Sequence, residues 1–115
     1  MADTHPLVKL LGAWEADTSE ARYRIVQACT TDDFYYADPH SGPLSGQAAF
    51  LGFLNIVKTR LPDGAMVPEG KMDQHETHAR LPFTLMRSGA PVRSGIYFAD
   101  LDPNNRVARL VGFLE

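Results

Sequence analysis

The sequence predicts an α+β fold in which helices cover one face of a curved sheet. Two observations support this prediction. In the first half of the chain, apolar residues recur at spacings of three and four, which is typical of helices with one buried face. From Met66 onward the pattern changes to β-prone runs separated by Ser88-Gly89 and by residues 102–105, and both breaks are typical of hairpins.

Length and composition limit the kinds of protein that this chain can be. It has 115 residues, of which 44% are hydrophobic, and this is enough for one core but not for two. We therefore expect a single domain over residues 1–115. The net charge is −3 and there is no stripe of basic residues, so nucleic acid is not an expected partner. No apolar run approaches the roughly 20 residues needed to cross a bilayer, so a membrane is not expected either.

The N-terminal residues and the cysteine usage bear on location. Residues 1–14 lack a basic segment followed by an apolar run and a cleavage site, which argues against a secretory signal. Cys29 is the single cysteine, so an intramolecular disulfide is excluded and a reducing, cytoplasmic location is predicted. We expect Cys29 to be a buried structural residue and not a nucleophile. The glycines show no phosphate-binding spacing, and no cofactor is expected.

Two helices are predicted before the first strand. Pro6 suits a first helical turn, where its missing N–H costs nothing, with Thr4 or His5 as the cap. The apolar face of this helix comprises Leu7, Val8, Leu10, Leu11 and Trp14. Asp17 and Glu20 then resemble a capping box that starts the second helix. Its inward residues are Ala21, Ile25, Val26 and Cys29, and its outward residues are Glu20, Arg22 and Arg24.

The next elements are a strand and a third helix. Phe34-Tyr35-Tyr36 is a β-prone run that Pro39 ends, because proline cannot continue a central strand. Ser45 or Gly46 caps the third helix, which ends at Pro62-Asp63-Gly64. Its apolar stripe comprises Ala49, Phe50, Phe53, Leu54, Val57 and Leu61.

Strand periodicity predicts the faces and the pairing of the last hairpin. If Tyr97 faces inward, so do Ala99 and Leu101, and Phe98 faces the other way. Counting back from the loop at residues 102–105 pairs Phe98 with Arg109.

Two stretches of the sequence resemble a known family. The first is Asp-Phe-Tyr-Tyr-Ala-Asp-Pro at residues 33–39, followed after a short loop by Gly-Gln-Ala-Ala at residues 46–49. The second is the last hairpin, residues 95–107, ending in Gly112-Phe113. With Trp14 in the first helix, they resemble the ketosteroid isomerase/SnoaL-like branch of the nuclear transport factor 2-like superfamily. The resemblance implies a cone-shaped curved mixed or antiparallel β-sheet packed against three helices from the N-terminal half, with a pocket inside the cone.

The resemblance also implies site residues. In the isomerases of this branch the aspartate of the Asp-Pro step is the general base, and Asp38 occupies that position. Tyr97 aligns with the isomerases' protonated acid, and Trp14 falls at or next to their tyrosine donor. A tyrosine hydroxyl or an indole N–H can donate to an enolate oxygen, but these are not the isomerases' own donors, which argues against steroid isomerisation as such. We expect Asp38 and Tyr97 to be catalytic. We expect an apolar carbonyl ligand to be bound by Trp14, Tyr36, Phe53 and His75.

Other interpretations of these residues stay open. Asp38 suits a turn-capping role before Pro39, and Tyr97 and Trp14 suit ordinary core positions. The sequence is therefore compatible with an isomerase- or cyclase-type enzyme or with a ligand-binding or dimeric interaction module without chemistry. Epoxide hydrolysis is a third possibility, but the second carboxylate and the arginine it needs are not identifiable from the sequence.

His75-Glu76-Thr77-His78 lacks the four-residue spacing of a helical zinc motif. In a strand, residues three apart point to opposite faces, so no metal site is expected here. His75 could then face the concave side as a second proton-transfer group, since imidazole changes charge near neutral pH.

A homodimer through the sheet is the expected assembly. The predicted convex face carries Ile96, Phe98, Val107, Val111 and Phe113. Such a face needs cover, and the branch's habit of sheet-to-sheet dimerisation would supply it, with roughly 800 Å² buried per partner.

Overall fold

A computed structural model describes residues 5–115, so Thr4, one of the two predicted caps, lies outside the described residues. The helices are α1 (Pro6–Leu11), which a 3₁₀ turn at Gly12–Trp14 extends, α2 (Ser19–Cys29) and α3 (Gln47–Arg60). The strands are β1 (Thr30–Ala37), β2 (Leu44–Ser45), β3 (Gly64–Pro68), β4 (Asp73–His75), β5 (His78–Arg87), β6 (Ala90–Leu101) and β7 (Val107–Leu114).

The strands form one mixed sheet in the order β2-β1-β7-β6-β5-β3, and β4 also pairs with β5. The β1–β7 pairing is parallel, and the other pairings are antiparallel. Register shifts interrupt three of the pairings, and such irregularities bend a sheet. The predicted α+β fold, with three helices on a curved mixed sheet, is confirmed.

The helix starts follow local hydrogen bonds that differ in part from the prediction. His5 caps α1, and its Nδ1 accepts from the N–H of Leu7 at 3.0 Å. The predicted capping box at Asp17 is wrong, because Thr18 is the cap of α2 and its Oγ1 accepts from the N–H of Ala21 at 3.0 Å. Gly46 precedes α3 without a side-chain cap.

Arg22 is buried, although the helical pattern predicted that it faces water. Only 6% of its surface is exposed. Its guanidinium donates to Asn55 Oδ1 at 2.8 Å and to the carbonyl oxygen of Ala16 at 2.7 Å. Two well-placed acceptors therefore offset the cost of removing this charge from water.

The helices bury their apolar faces against the concave side of the sheet, and the largest fully buried side chains are aromatic and aliphatic. Tyr97, Ala99 and Leu101 of β6 are buried and Phe98 is exposed, as the alternation predicted. Cys29 is buried, as expected for a structural thiol. Burial raises its pKa, and the Lys9 charge offsets this rise in part. Within residues 5–115, no helix is long and apolar enough to cross a bilayer.

The last hairpin is shifted by two residues from the predicted register. Phe98 pairs with Val111, and Arg109 pairs with Asp100. One residue of the shift arises because Asp102 closes the loop with Arg106, its N–H donating to the Arg106 carbonyl at 2.8 Å. The second residue of the shift arises at the irregularity between Asp100 and Leu101.

The same irregularity changes which side chains of β7 face inward. Val107 pairs with Leu101 and is fully buried, so its predicted place on the convex face is wrong. Phe98 and Phe113 do lie on the outer face, with exposed fractions of 44% and 54%.

Candidate functional site

A cavity of about 320 Å³ lies between the helices and the concave face of the sheet. Its size falls at the lower end of the range for small-molecule sites. The walls are mainly apolar and include Trp14, Phe53, Met66, Phe83, Leu85 and Leu114. The side chains with polar groups on the lining are Asp38, His40, Arg60, Tyr97 and Trp14, whose indole carries an N–H. This combination of apolar walls and a few polar groups is typical of a ligand site.

Asp38 lies directly after β1, where its carboxylate both caps a turn and faces the cavity. One carboxylate oxygen, Oδ1, accepts from the backbone N–H groups of His40 at 2.8 Å and Ser41 at 2.7 Å, so the turn-capping interpretation is confirmed. The other oxygen, Oδ2, accepts from the Tyr36 hydroxyl. The half-buried side chain also lines the cavity. The turn thus fixes the orientation of a carboxylate that a ligand can reach.

Tyr36 and Tyr97 continue the hydrogen bonding away from Asp38. Their hydroxyl oxygens are 2.8 Å apart, and both side chains are buried. Tyr97 lines the cavity, whereas Tyr36 lies behind its wall. The structure therefore does not place Tyr36, predicted as a ligand-binding residue, on the lining, because its hydroxyl is enclosed between Asp38 and Tyr97.

Both tyrosine hydroxyls hold their protons more tightly than in water. Burial is the main cause that raises the pKa of Tyr97, and the negative charge of Asp38 adds to it, while the hydrogen bond with Tyr36 acts in the opposite direction. Burial also raises the pKa of Tyr36, with further contributions from Tyr97 and Asp38. The hydroxyls therefore stay neutral and able to donate.

Gly112 is a site residue that the sequence reasoning missed. It pairs with Tyr97 across β6 and β7. A Cβ at Gly112 would lie 2.6 Å from Tyr97 Cε1 and 3.5 Å from Asp38 Cβ. The missing side chain therefore lets the Tyr97 ring lie against β7 beside Asp38. The available signal was a glycine inside a strand pattern, which marks a close approach of other groups to the backbone.

Two predicted ligand-binding aromatics, Trp14 and Phe53, do line the cavity. The Trp14 ring centroid lies 6.0 Å from that of Tyr97 and 5.7 Å from that of Phe50. On the other side, the Phe83 ring stacks on Tyr97 with centroids 4.5 Å apart. The neighbouring rings thus restrict the orientation of the Tyr97 ring and, with it, the position of its hydroxyl group.

His75 does not reach the cavity, and the expectation that it faces the concave side is wrong. His75 and His78 are cross-strand partners on either side of a tight turn, with Glu76 at a φ of 53°. Their rings are exposed, with centroids 5.5 Å apart. Across residues 5–115, no group of three or more potential metal ligands occurs.

His40 and Arg60 mark the mouth of the cavity, since both line it and both are exposed. Arg60 is a residue that the sequence reasoning missed. It follows Phe53 and Val57 at helical spacing in α3, and this periodicity could have indicated it. Among the described residues, Asp38 is the only carboxylate on the lining. The second acid that epoxide hydrolysis would need is therefore not found there.

No family model matches this sequence, and no curated protein matches it. Solved structures do match. A candidate isomerase of the SnoaL-like family from Agrobacterium tumefaciens superposes with a TM-score of 0.88 at 24% identity, covering 96% of this chain and 94% of that one. The chain has the SnoaL-like, ketosteroid isomerase-like fold. The fold that the resemblance to the nuclear transport factor 2-like superfamily implied is thereby confirmed.

Structures of lower sequence identity superpose on this chain as well. A SnoaL-like protein of unknown function from Burkholderia thailandensis gives a TM-score of 0.74 at 13% identity over 99% of both chains. A protein with a ketosteroid isomerase-like fold from Catenulispora acidiphila, solved in complex with trimethylamine, gives 0.74 at 11% identity and covers 96% of this chain and 85% of that one. At these identities the similarity concerns the fold, and the site itself has to indicate the chemistry.

Proposed function

We propose that the protein binds a small apolar carbonyl compound in this cavity and moves a proton on it, with Asp38 as the general acid/base. The observation that carries the proposal is the position of Asp38 and Tyr97 together on the lining of an otherwise apolar cavity. The fold itself fits a small-molecule-binding protein, and the Agrobacterium relative is described as a candidate isomerase. No cofactor is needed for this chemistry.

In the proposed reaction, Asp38 removes a proton from the carbon next to the carbonyl group. The electron pair of that C–H bond forms the carbon–carbon double bond of an enolate, and the carbonyl π pair moves to oxygen. Three donors hold the carboxylate in place, namely the N–H groups of His40 and Ser41 and the Tyr36 hydroxyl. An ionised carboxylate has about four acceptor positions, so about one is left for the substrate.

Tyr97 is proposed to donate to the enolate oxygen. The apolar walls provided by Trp14, Phe53 and Phe83 exclude water and strengthen that hydrogen bond. One hydrogen-bond donor to a developing oxyanion supplies on the order of 10²–10³ in rate. Return of the proton to a different carbon gives an isomerase, and attack of the enolate on a second carbonyl gives a cyclase.

Deuterium exchange tests the proton transfer. Apolar bicyclic ketones such as indanone are incubated with the protein in deuterium oxide, and NMR follows the loss of the proton next to the carbonyl. The wild-type protein should accelerate exchange, and Asp38→Asn should lower the rate by about 10²–10⁴, the usual contribution of a general base. Asp100→Asn is the matched control, since Asp100 pairs with His78 outside the cavity. Equal exchange rates in the wild-type and Asp38→Asn proteins would contradict the proposal.

Ligand binding without chemistry is the alternative. It predicts saturable ketone binding, with a deuterium exchange rate no higher than in buffer without protein. Native mass spectrometry of the purified protein would then show a bound small molecule whose mass identifies its class.

The proposal includes a homodimer formed through the outer face of the sheet. Phe98 and Phe113 are exposed there, with ring centroids 5.8 Å apart. The Arg109 guanidinium carbon lies 4.6 Å from the centroid of the Tyr35 ring. Aromatic residues and arginine are enriched in protein interfaces. A cytoplasmic location, compatible with the single buried thiol of Cys29, completes the proposal.

A further inference from the structure

Asp38, Tyr36 and Tyr97 form a continuous hydrogen-bonded chain. Tyr36 donates to Asp38 Oδ2, and the Tyr36 and Tyr97 hydroxyl oxygens are 2.8 Å apart. Asp38 and Tyr97 line the cavity, and Tyr36 does not. A ligand in the cavity can therefore contact Asp38 and Tyr97, the two ends of this hydrogen-bonded chain. Tyr36 connects them from behind the cavity wall.

The number of hydroxyl and carboxyl hydrogens on these three side chains determines which group donates in each hydrogen bond. Each tyrosine hydroxyl has one hydrogen to donate, and an ionised carboxylate has none. With Asp38 ionised, Tyr36 gives its hydrogen to Asp38, and the bond between the two tyrosines then needs the hydrogen of Tyr97. The Tyr97 oxygen is left with lone pairs only, so it accepts a hydrogen bond from the cavity.

A proton on Asp38 reverses the direction of both bonds. Asp38 then donates to Tyr36, and Tyr36 donates to Tyr97. The Tyr97 hydrogen becomes available to an acceptor in the cavity. Because burial keeps both tyrosines neutral, the number of hydrogens changes only with Asp38. The other ionisable side chains on the cavity lining, His40 and Arg60, are exposed at the mouth.

We infer that Tyr36 couples the charge of Asp38 to the hydrogen-bonding polarity of Tyr97. The cavity then favours hydrogen-bond donors when Asp38 is ionised, and carbonyl or enolate oxygens when Asp38 is protonated. This inference deepens the proposed function and rests on it. In the proposed reaction, Tyr97 becomes a donor once Asp38 holds the substrate proton. It therefore stabilises the enolate more than the ketone, which is the condition for acceleration.

The local geometry makes Asp38→Asn a fixed version of the protonated state. The N–H groups of His40 and Ser41 both donate to the Oδ1 position, so the introduced amide keeps its oxygen there. Its NH₂ group then occupies the Oδ2 position and donates to Tyr36. In this variant residue 38 donates to Tyr36 and Tyr36 donates to Tyr97, so the Tyr97 hydrogen stays available to a ligand in the cavity.

Two rigid bicyclic probes of similar size report this polarity. Indole has an N–H donor and no comparable acceptor, and indanone has a carbonyl acceptor and no donor. Their dissociation constants are measured by calorimetry at pH 8. We expect the wild-type protein to favour indole and the Asp38→Asn protein to favour indanone. The ratio of the two dissociation constants should change at least about ten-fold, since one buried hydrogen bond is worth on the order of a factor of ten.

Tyr36→Phe distinguishes coupling from a direct effect of Asp38. Without the Tyr36 hydroxyl, the substitution at Asp38 acts on the ligand only through the side chain of residue 38 itself, so the change in the ratio should be much smaller than in the wild-type background. Tyr35→Phe is the matched control, because Tyr35 does not line the cavity and contacts Arg109 instead, and it should retain the full shift. The inference is overturned if both probes bind but Asp38→Asn does not change the ratio, or if the change persists at its full size in the Tyr36→Phe background.

The remaining outcomes separate the inference from the proposed function. A ratio that shifts as expected, in a protein without deuterium exchange, supports the coupling and contradicts the proposed proton transfer. Failure of both probes to bind any variant contradicts the apolar ligand itself and overturns both.

Discussion

Gly112→Ala tests the placement of Tyr97. The added Cβ would lie 2.6 Å from Cε1 and 3.0 Å from Cδ1 of the Tyr97 ring, whereas unstrained carbon contacts are about 3.5–4.0 Å. The ring therefore has to move by about 1 Å. The Phe83 ring stacked on Tyr97 restricts where it can go.

Such a displacement has two costs that the structure allows us to estimate. Overpacking a core costs about 1–3 kcal/mol. A movement of about 1 Å also stretches the 2.8 Å bond between the Tyr36 and Tyr97 hydroxyls beyond hydrogen-bonding distance, which costs about 1 kcal/mol more. We therefore expect Gly112→Ala to lower the free energy of unfolding by about 2–4 kcal/mol and to abolish the shift in probe ratio.

Urea unfolding and probe calorimetry measure the two effects. Gly52→Ala is the control, since a Cβ at this exposed position of α3 meets nothing within 4 Å and should stabilise the protein by about 0.5–1 kcal/mol. Unchanged stability in Gly112→Ala, together with a normal probe ratio, would refute the close approach of Tyr97 to β7.

Three further predictions concern the caps, the buried hydroxyls and the outer face. Thr18→Ala removes the cap of α2 and should lower the free energy of unfolding by about 1 kcal/mol, measured by urea unfolding; no change would contradict the capping role. Because burial raises the pKa of Tyr36 and Tyr97, the unfolded chain loses these protons first, so stability should fall as the pH rises above about 10. Tyr36→Phe should reduce that slope, and an equal slope would contradict it. Phe98→Asp, which places a charge on the exposed outer face, should convert the proposed dimer to monomer in light scattering, and a wild-type monomer at micromolar concentration would contradict the dimer.

Much of the fold was predictable because helical and strand periodicities are local. The alternation in β6 correctly placed Tyr97 inward and Phe98 outward. The register of the last hairpin was not predictable, because it depends on where Asp102 closes the loop and on the irregularity beside Asp100. The turn between His75 and His78 was missed because Glu76 adopts a left-handed conformation without the glycine that normally signals one.

The site was predictable in part. Asp38 and Tyr97 came from the resemblance, and the structure brings both to one cavity. The link through Tyr36 was within reach of strand geometry, since residues two apart on a strand share a face. Its bond to Tyr97 was not, because it joins residues far apart in the chain. Arg22 shows the same limit, since its acceptor Asn55 lies on another helix.

The central claim is that a carbonyl ligand binds between Asp38 and Tyr97. A crystal structure of the Asp38→Asn protein with indanone tests it most directly, because this variant should hold Tyr97 as a donor and not consume the ligand. We predict the carbonyl oxygen within hydrogen-bonding distance of the Tyr97 hydroxyl, with the adjacent carbon facing residue 38. Indanone bound with its oxygen toward Arg60 at the mouth, or an empty cavity under saturating ligand, would contradict the account.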